Sequence, residues 1–187
     1  MSSRLGYQIR EPFEGHFLTC TVVDWLPILD RWEAKKIIID SWTYCTEHKG
    51  LRLYAYVIMS NHIHFIAQAK QHTRGLAGLV QDFKRHTSTQ LWQWLESSQD
   101  IGHNGLVYRN LLDLAGNGSK RIWQPGNGAE VLKYPRFTMQ EVRYIHNNPV
   151  RAEIVTDPAY YYCSSAAQYE GLSDEPLQVE LLQMDEG

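Results

Sequence analysis

Apolar positions change their period along the chain, and each period predicts an element. Phe17-Leu18-Thr19-Cys20-Thr21-Val22-Val23 is apolar and β-branched and predicts a first strand. Before it, residues 1–16 read as an irregular lead-in broken by Pro12 and Gly15. Ala34, Ile38, Trp42 and Cys45 then recur at helical spacing, Asp30 with Glu33 is a variant of the capping box, and Gly50 suits a stop. These predict a helix over 30–48. Leu51 to Met59 is apolar on both faces, as in a central strand. Ser60-Asn61 turns the chain and His62 to Ala69 returns it. Leu76, Leu79, Val80, Phe83, Thr87, Leu91 and Leu95 mark a second amphipathic helix over 74–97.

Beyond this helix the pattern weakens. Residues 98–120 are rich in Gly, Asn and Ser and predict a long surface loop. Arg121 to Gln124 predicts a strand, with Val131 to Lys133 as its partner across Pro125 to Gly128. Thr138 and Glu141 form a capping box for a third helix, which ends near Asn148 because Pro149 disfavours α geometry before it. Residues 150–171 are expected to pack back through Val150, Ile154, Val155 and Tyr160-Tyr161-Tyr162. The order β-α-β-β-α-β with an added C-terminal helix predicts an α+β, ferredoxin-like fold. It occupies one domain over 1–171, followed by a weakly ordered acidic tail over 172–187. The first two helices should cover one face of a four-stranded antiparallel sheet, with the 138–148 helix near the sheet end bearing His62.

Composition adds limits. The 187 residues are 43% hydrophobic and 21% charged, which suits a folded domain and not a disordered chain. No apolar run is long enough to predict a membrane span, and the N-terminus lacks a signal-peptide core. Cys20, Cys45 and Cys163 are widely spaced with no Cys-x-x-Cys pair, which speaks against a zinc ribbon and fits the cytoplasm. Net charge is −3 but uneven. Residues 70–151 hold eleven Lys/Arg and six Asp/Glu, whereas 152–187 hold no Lys/Arg and eight Asp/Glu. A basic middle under an acidic end is compatible with a polyanionic substrate.

Two places carry chemistry. His62 and His64 flank Ile63, so in a strand both imidazoles face one way, about 7 Å apart by strand rise, and can converge on one metal ion. A solvated pair of strand histidines is the bland alternative. Tyr144 and Asn148 lie four apart and share a helix face, while His146 is turned about 200° from Tyr144. A phenol near such a metal suits strand transfer at a phosphodiester, with the phenol oxygen as nucleophile. A metal-dependent hydrolase using the histidines without covalent catalysis is a rival. Arg74, Lys84, Arg85 and His86 give the second helix a basic face, and Lys84, Arg85, Arg121 and Arg143 are the candidates for DNA phosphate contact. Trp92 and Trp94 could stack on bases, although buried tryptophans are commoner.

Met59-Ser60-Asn61-His62-Ile63-His64 and Tyr144-Ile145-His146-Asn147-Asn148-Pro149-Val150-Arg151-Ala152 together resemble the IS200-like tyrosine transposases of the HUH type, close to those associated with repetitive extragenic palindromes (REP). The resemblance extends from Gly6-Tyr7 to Ser164-Ser165. It implies His62, His64 and Asn148 as ligands of Mg²⁺ or Mn²⁺ and Tyr144 as nucleophile. It also implies cleavage of single-stranded DNA near a hairpin, through a 5′-phosphotyrosine with a free 3′-hydroxyl, in a cytoplasmic, nucleoid-associated protein. A homodimer is compatible with it, since some similar proteins exchange the tyrosine helix between subunits and others act as monomers. The alternative is a domesticated protein that binds palindromic-repeat hairpins without productive transposition. Two departures stand out: Pro125-Gly126-Asn127-Gly128-Ala129 replaces a segment that often holds a histidine, and Glu153 stands where glycine is usual.

Overall fold

The alternation of two-sided strands with amphipathic helices closes a four-stranded sheet in the order β2-β3-β1-β4, every neighbouring pair antiparallel. In this computed structural model the described residues are 9–71, 73–98, 102–115, 120–126, 128–172 and 176–182. The strands are β1 (His16–Thr21), β2 (Leu51–Ile58), β3 (His62–Ala69) and β4 (Gly128–Val131). The helices are α1 (Trp32–His48), α2 (Gly75–Ser97), α3 (His103–Ala115), α4 (Pro135–His146), and the short α5 (Asn148–Arg151) and α6 (Ala166–Tyr169). Element order and strand order are those of the expected α+β ferredoxin-like sheet.

The helices α1 and α2 cover one face. Between them and the sheet, Trp42 stacks on Phe83 at 5.5 Å and meets Phe65 at 5.2 Å and Tyr56 at 5.6 Å. Each large side chain buried here contributes about 1.5–3 kcal/mol relative to exposure. The other face holds a smaller cluster, in which Val142 and Ile145 of α4 pack on Tyr54, Ala55, Val57, Met59 and Ile66. The outer edge of β2 is covered, because Ser165 N donates to Tyr56 O, Ile58 N to Cys163 O and Glu180 N to Leu53 O.

Several boundaries differ from the sequence reading. The expected loop over 98–120 contains α3, anchored by buried Val107 and Leu111 one helical turn apart. Arg121 to Gln124 is not a full strand: only Trp123 bridges, to Val22, and the fourth strand is Gly128–Val131. Helix α1 begins at Trp32 without a side-chain cap, after a 3₁₀ turn over Ile28–Asp30. Helix α4 begins at Pro135, whose fixed φ suits a first turn, so Thr138 is inside the helix and its Oγ1 donates to Tyr134 O. The expected apolar return through Ile154, Tyr160 and Tyr162 is mostly solvent-facing, and of the three tyrosines Tyr161 is the one packed against the core. The end of the chain is docked over its described residues 176–182: Leu177 is buried and Arg52 pairs with Glu180 at 2.6 Å. Among the described residues no helix is long and apolar enough to cross a membrane.

Candidate active site

Strand register builds the first half of the site. Thr19 and Thr21 of β1 lie opposite His64 and His62 of β3, while Ile63 between them is fully buried in the main core. The two imidazoles therefore share the face away from α1 and α2, with ring centroids 4.8 Å apart. His62 Nδ1 lies 2.7 Å from Asn61 Oδ1, and His64 Nδ1 lies 2.8 Å from Thr19 Oγ1. An oxygen on each Nδ1 fixes the ring and leaves Nε2 as the nitrogen facing a ligand. Burial pushes both imidazoles below the ordinary histidine range, and His64, beside His62, falls to about 3. Both are thus neutral at physiological pH, the form that donates a lone pair to a metal.

Helix α4 supplies the second half. Ile145 and Val142 hold it against the sheet, which sets the Tyr144 ring 5.5 Å from His64 and 5.8 Å from Phe17. The Arg151 guanidinium lies over the Tyr144 ring at 5.0 Å. Tyr144 opens into a cleft of about 440 Å³ lined also by Gln140, Glu141, Arg143, Asn147 and Arg151. Asn148 is the first residue of α5 and not the last of α4; its Nδ2 donates to Tyr144 O at 2.8 Å, leaving Oδ1 as an acceptor. His146 turns away into the protein, where Ser165 Oγ lies 2.9 Å from its Nε2 and burial lowers its pKa to about 4.

The donors present fit a divalent ion. Among the described residues no group of three His, Cys, Asp or Glu could hold a metal, so His62 and His64 need an amide oxygen, water or phosphate oxygens to complete a shell. Two oriented imidazoles with oxygen partners is a donor set open to substrate. Phe17, Thr19, Asn61 and Arg151 are site neighbours that sequence reasoning did not single out. Asn61 and Arg151 lie within the two quoted motifs, whereas Thr19 is found only through the register of β1 on β3.

The four basic candidates divide. Lys84, Arg85 and Arg121 line a groove of about 620 Å³ between α2 and residues 120–126, together with Lys120 and Trp123. There Lys84 Nζ donates to Gln124 O and Gly126 O, and Arg85 pairs with Asp82 at 2.6 Å. Arg143 lies instead in the Tyr144 cleft. Trp92 is buried and Trp94 packs on the core, so neither lines that groove.

A solved structure of a REP-associated tyrosine transposase bound to a REP hairpin superimposes with a TM-score of 0.65, over 100% of this chain and 97% of the other. This chain has that transposase's fold. The two share 16% of residues, so what is common is the arrangement of elements. A chain of Deinococcus radiodurans R1, assigned provisionally as a transposase, matches with a TM-score of 0.44 and 18% identity over 79% of this chain and 97% of its own. No protein-family model and no curated protein matches the sequence.

Proposed function

We propose that this protein is a metal-dependent single-stranded DNA transposase or endonuclease that cleaves and rejoins DNA near hairpins through a phosphotyrosine. The observation that carries the reading is Tyr144 standing 5.5 Å from His64, on the sheet face where His62 and His64 converge. The transposase with the same fold is bound to a REP hairpin, which supports a hairpin as substrate here.

Mg²⁺ or Mn²⁺ held by His62, His64 and Asn148 would offset charge developing on a non-bridging phosphate oxygen. The protein's own groups do the rest. The Tyr144 oxygen attacks phosphorus, forming a phosphotyrosine on the 5′ side as the bond to the 3′ oxygen breaks. The phenol loses its proton and the leaving 3′ oxygen gains one, so a 3′-hydroxyl is released. Attack by another 3′-hydroxyl reverses the step and rejoins strands without an external energy source. Arg151, over the phenol ring, can with Arg143 hold phosphate in the cleft. Asn61 Oδ1, which can only accept, keeps His62 in the tautomer whose Nε2 accepts, and the Thr19 hydroxyl holds the His64 ring at Nδ1. The groove bearing Lys84, Arg85 and Arg121 is the second place for backbone phosphates.

The test is a trapping reaction with labelled hairpin oligonucleotides and Mn²⁺. The expected product is DNA joined through its 5′ phosphate to the peptide containing Tyr144, with a free 3′-hydroxyl on the released strand. An adduct on another tyrosine would falsify the assignment, and hairpin binding without any adduct would leave the binding-only reading.

A further inference from the structure

Trp25 is an exposed aromatic held by strained backbone at the edge of the site. It is 59% exposed, whereas Trp42, Trp92 and Trp123 are buried. Both Asp24 and Trp25 lie in the left-handed region, at φ 51° and 55°. Neither is glycine, so both hold a backbone conformation that side-chain-bearing residues rarely adopt. Burial of the indole does not offset that strain, because most of the indole is in solvent.

The surroundings hold this shape in place. Val23 N donates to Ile122 O at 2.8 Å and Val22 N to Asn61 O at 2.9 Å. Asn61 Nδ2 reaches Trp25 O at 3.3 Å, while the same side chain's Oδ1 lies 2.7 Å from His62 Nδ1. One amide thus ties the Trp25 backbone to the orientation of His62. The indole meets His62 at a ring distance of 6.0 Å and an interplanar angle of 69°. An edge contact of this kind leaves aromatic surface open beside the two imidazoles.

Resting on the function proposed above, we infer that Trp25 is a stacking platform for a base of single-stranded DNA next to the His62–His64 pair. Stacking accepts any base, because every base has a π face, and it needs an unpaired strand. Trp25 would position the nucleotide beside the scissile phosphate and bias the enzyme against duplex. It is a positioning residue toward the phosphate, and sequence preference would come from elsewhere.

The test compares fluorescein-labelled oligothymidine with an abasic strand of equal length, at one salt concentration, by anisotropy. Three proteins are used: wild type, Trp25→Leu and Trp25→Phe. Removing one stacking side chain should weaken oligothymidine binding about five- to hundredfold. Phe should restore most of the loss, and all three proteins should bind the abasic strand alike. Equal affinity of Trp25→Leu and wild type for oligothymidine overturns this inference alone. So does an equal loss by Trp25→Leu on the abasic strand, which would mark a structural role. A wild type that binds neither strand also overturns this inference, and one that fails in addition to bind a hairpin-bearing strand removes the DNA-based function as well.

Discussion

The two faces of the sheet are built on different terms. Toward α1 and α2, Trp42, Phe65, Phe83 and Tyr56 interlock as buried rings. Toward α4, the buried cluster is small and stops at a polar margin of His62, His64, Thr19 and Tyr144. The first face contributes most of the stability. The second can keep oriented polar groups near solvent because register and a few apolar anchors already position them. Chemistry and stability should therefore respond to different substitutions.

The largest effect belongs to Tyr144→Phe. It keeps the ring against Phe17, His64 and Arg151 and removes only the oxygen. Cleavage in a gel assay should fall on the order of a millionfold, the scale seen when a covalent nucleophile is lost. Chemical denaturation should show stability within about 0.5 kcal/mol of wild type. A large loss of stability would make the phenol a structural group and blur the contrast.

Next comes the converse, Trp42→Ala, on the other face. Its cavity should cost about 3–5 kcal/mol, read by urea unfolding. Cleavage per folded molecule should be unchanged well below the melting point. A Trp42→Ala protein that is folded yet inactive would show that the faces are coupled.

A smaller and more local effect is expected at Thr19→Val, which keeps shape but removes the oxygen 2.8 Å from His64 Nδ1. Mn²⁺ affinity by titration calorimetry should drop about 10- to 100-fold, as for other outer partners of ligating histidines. Unchanged affinity would free His64 from its proposed orienting partner.

The smallest effect is a gain. Glu153 has φ 57°, a conformation glycine adopts without steric cost. Glu153→Gly relieves that strain but adds freedom to the unfolded chain, so stability should rise by no more than about 1 kcal/mol. Thermal melts resolve the sign, and a loss would mean that the Glu153 side chain makes compensating contacts.

The early half of the fold was legible because each strand or helix there carries a strong period of its own. The period-2 spacing of His62 and His64 around Ile63 was enough to put both imidazoles on one face. Later elements were hidden for local reasons. The strand β4 is the four-residue Gly128–Val131, in which Ala129 alone is buried, and its pairing with β1 is supplied by its partner and not by its composition. The helix α3 sits in a Gly- and Asn-rich stretch, although Val107 and Leu111 at i, i+4 were a usable signal. Its Arg121–Gln124 neighbour looked like a strand because Trp123 and Ile122 are core residues, buried without a ladder. At the site, the i, i+4 spacing put Tyr144 and Asn148 on one stretch of helix, and the role expected of Tyr144 came from the resemblance to the tyrosine transposases. The role of Thr19 required a partner 45 residues away, which no local pattern encodes.

The Tyr144 ring reaches His64 within a single polypeptide. Under the function proposed above, a cis arrangement of this kind would set the kinetic order of the first cleavage. A nucleophile delivered by a neighbouring subunit is lost on dilution, and the rate per chain then falls with concentration. A nucleophile carried in cis keeps its effective concentration at any dilution. Strand scission should accordingly stay first order in protein down to the lowest measurable concentration, and mixing Tyr144→Phe with His64→Ala chains should restore no activity.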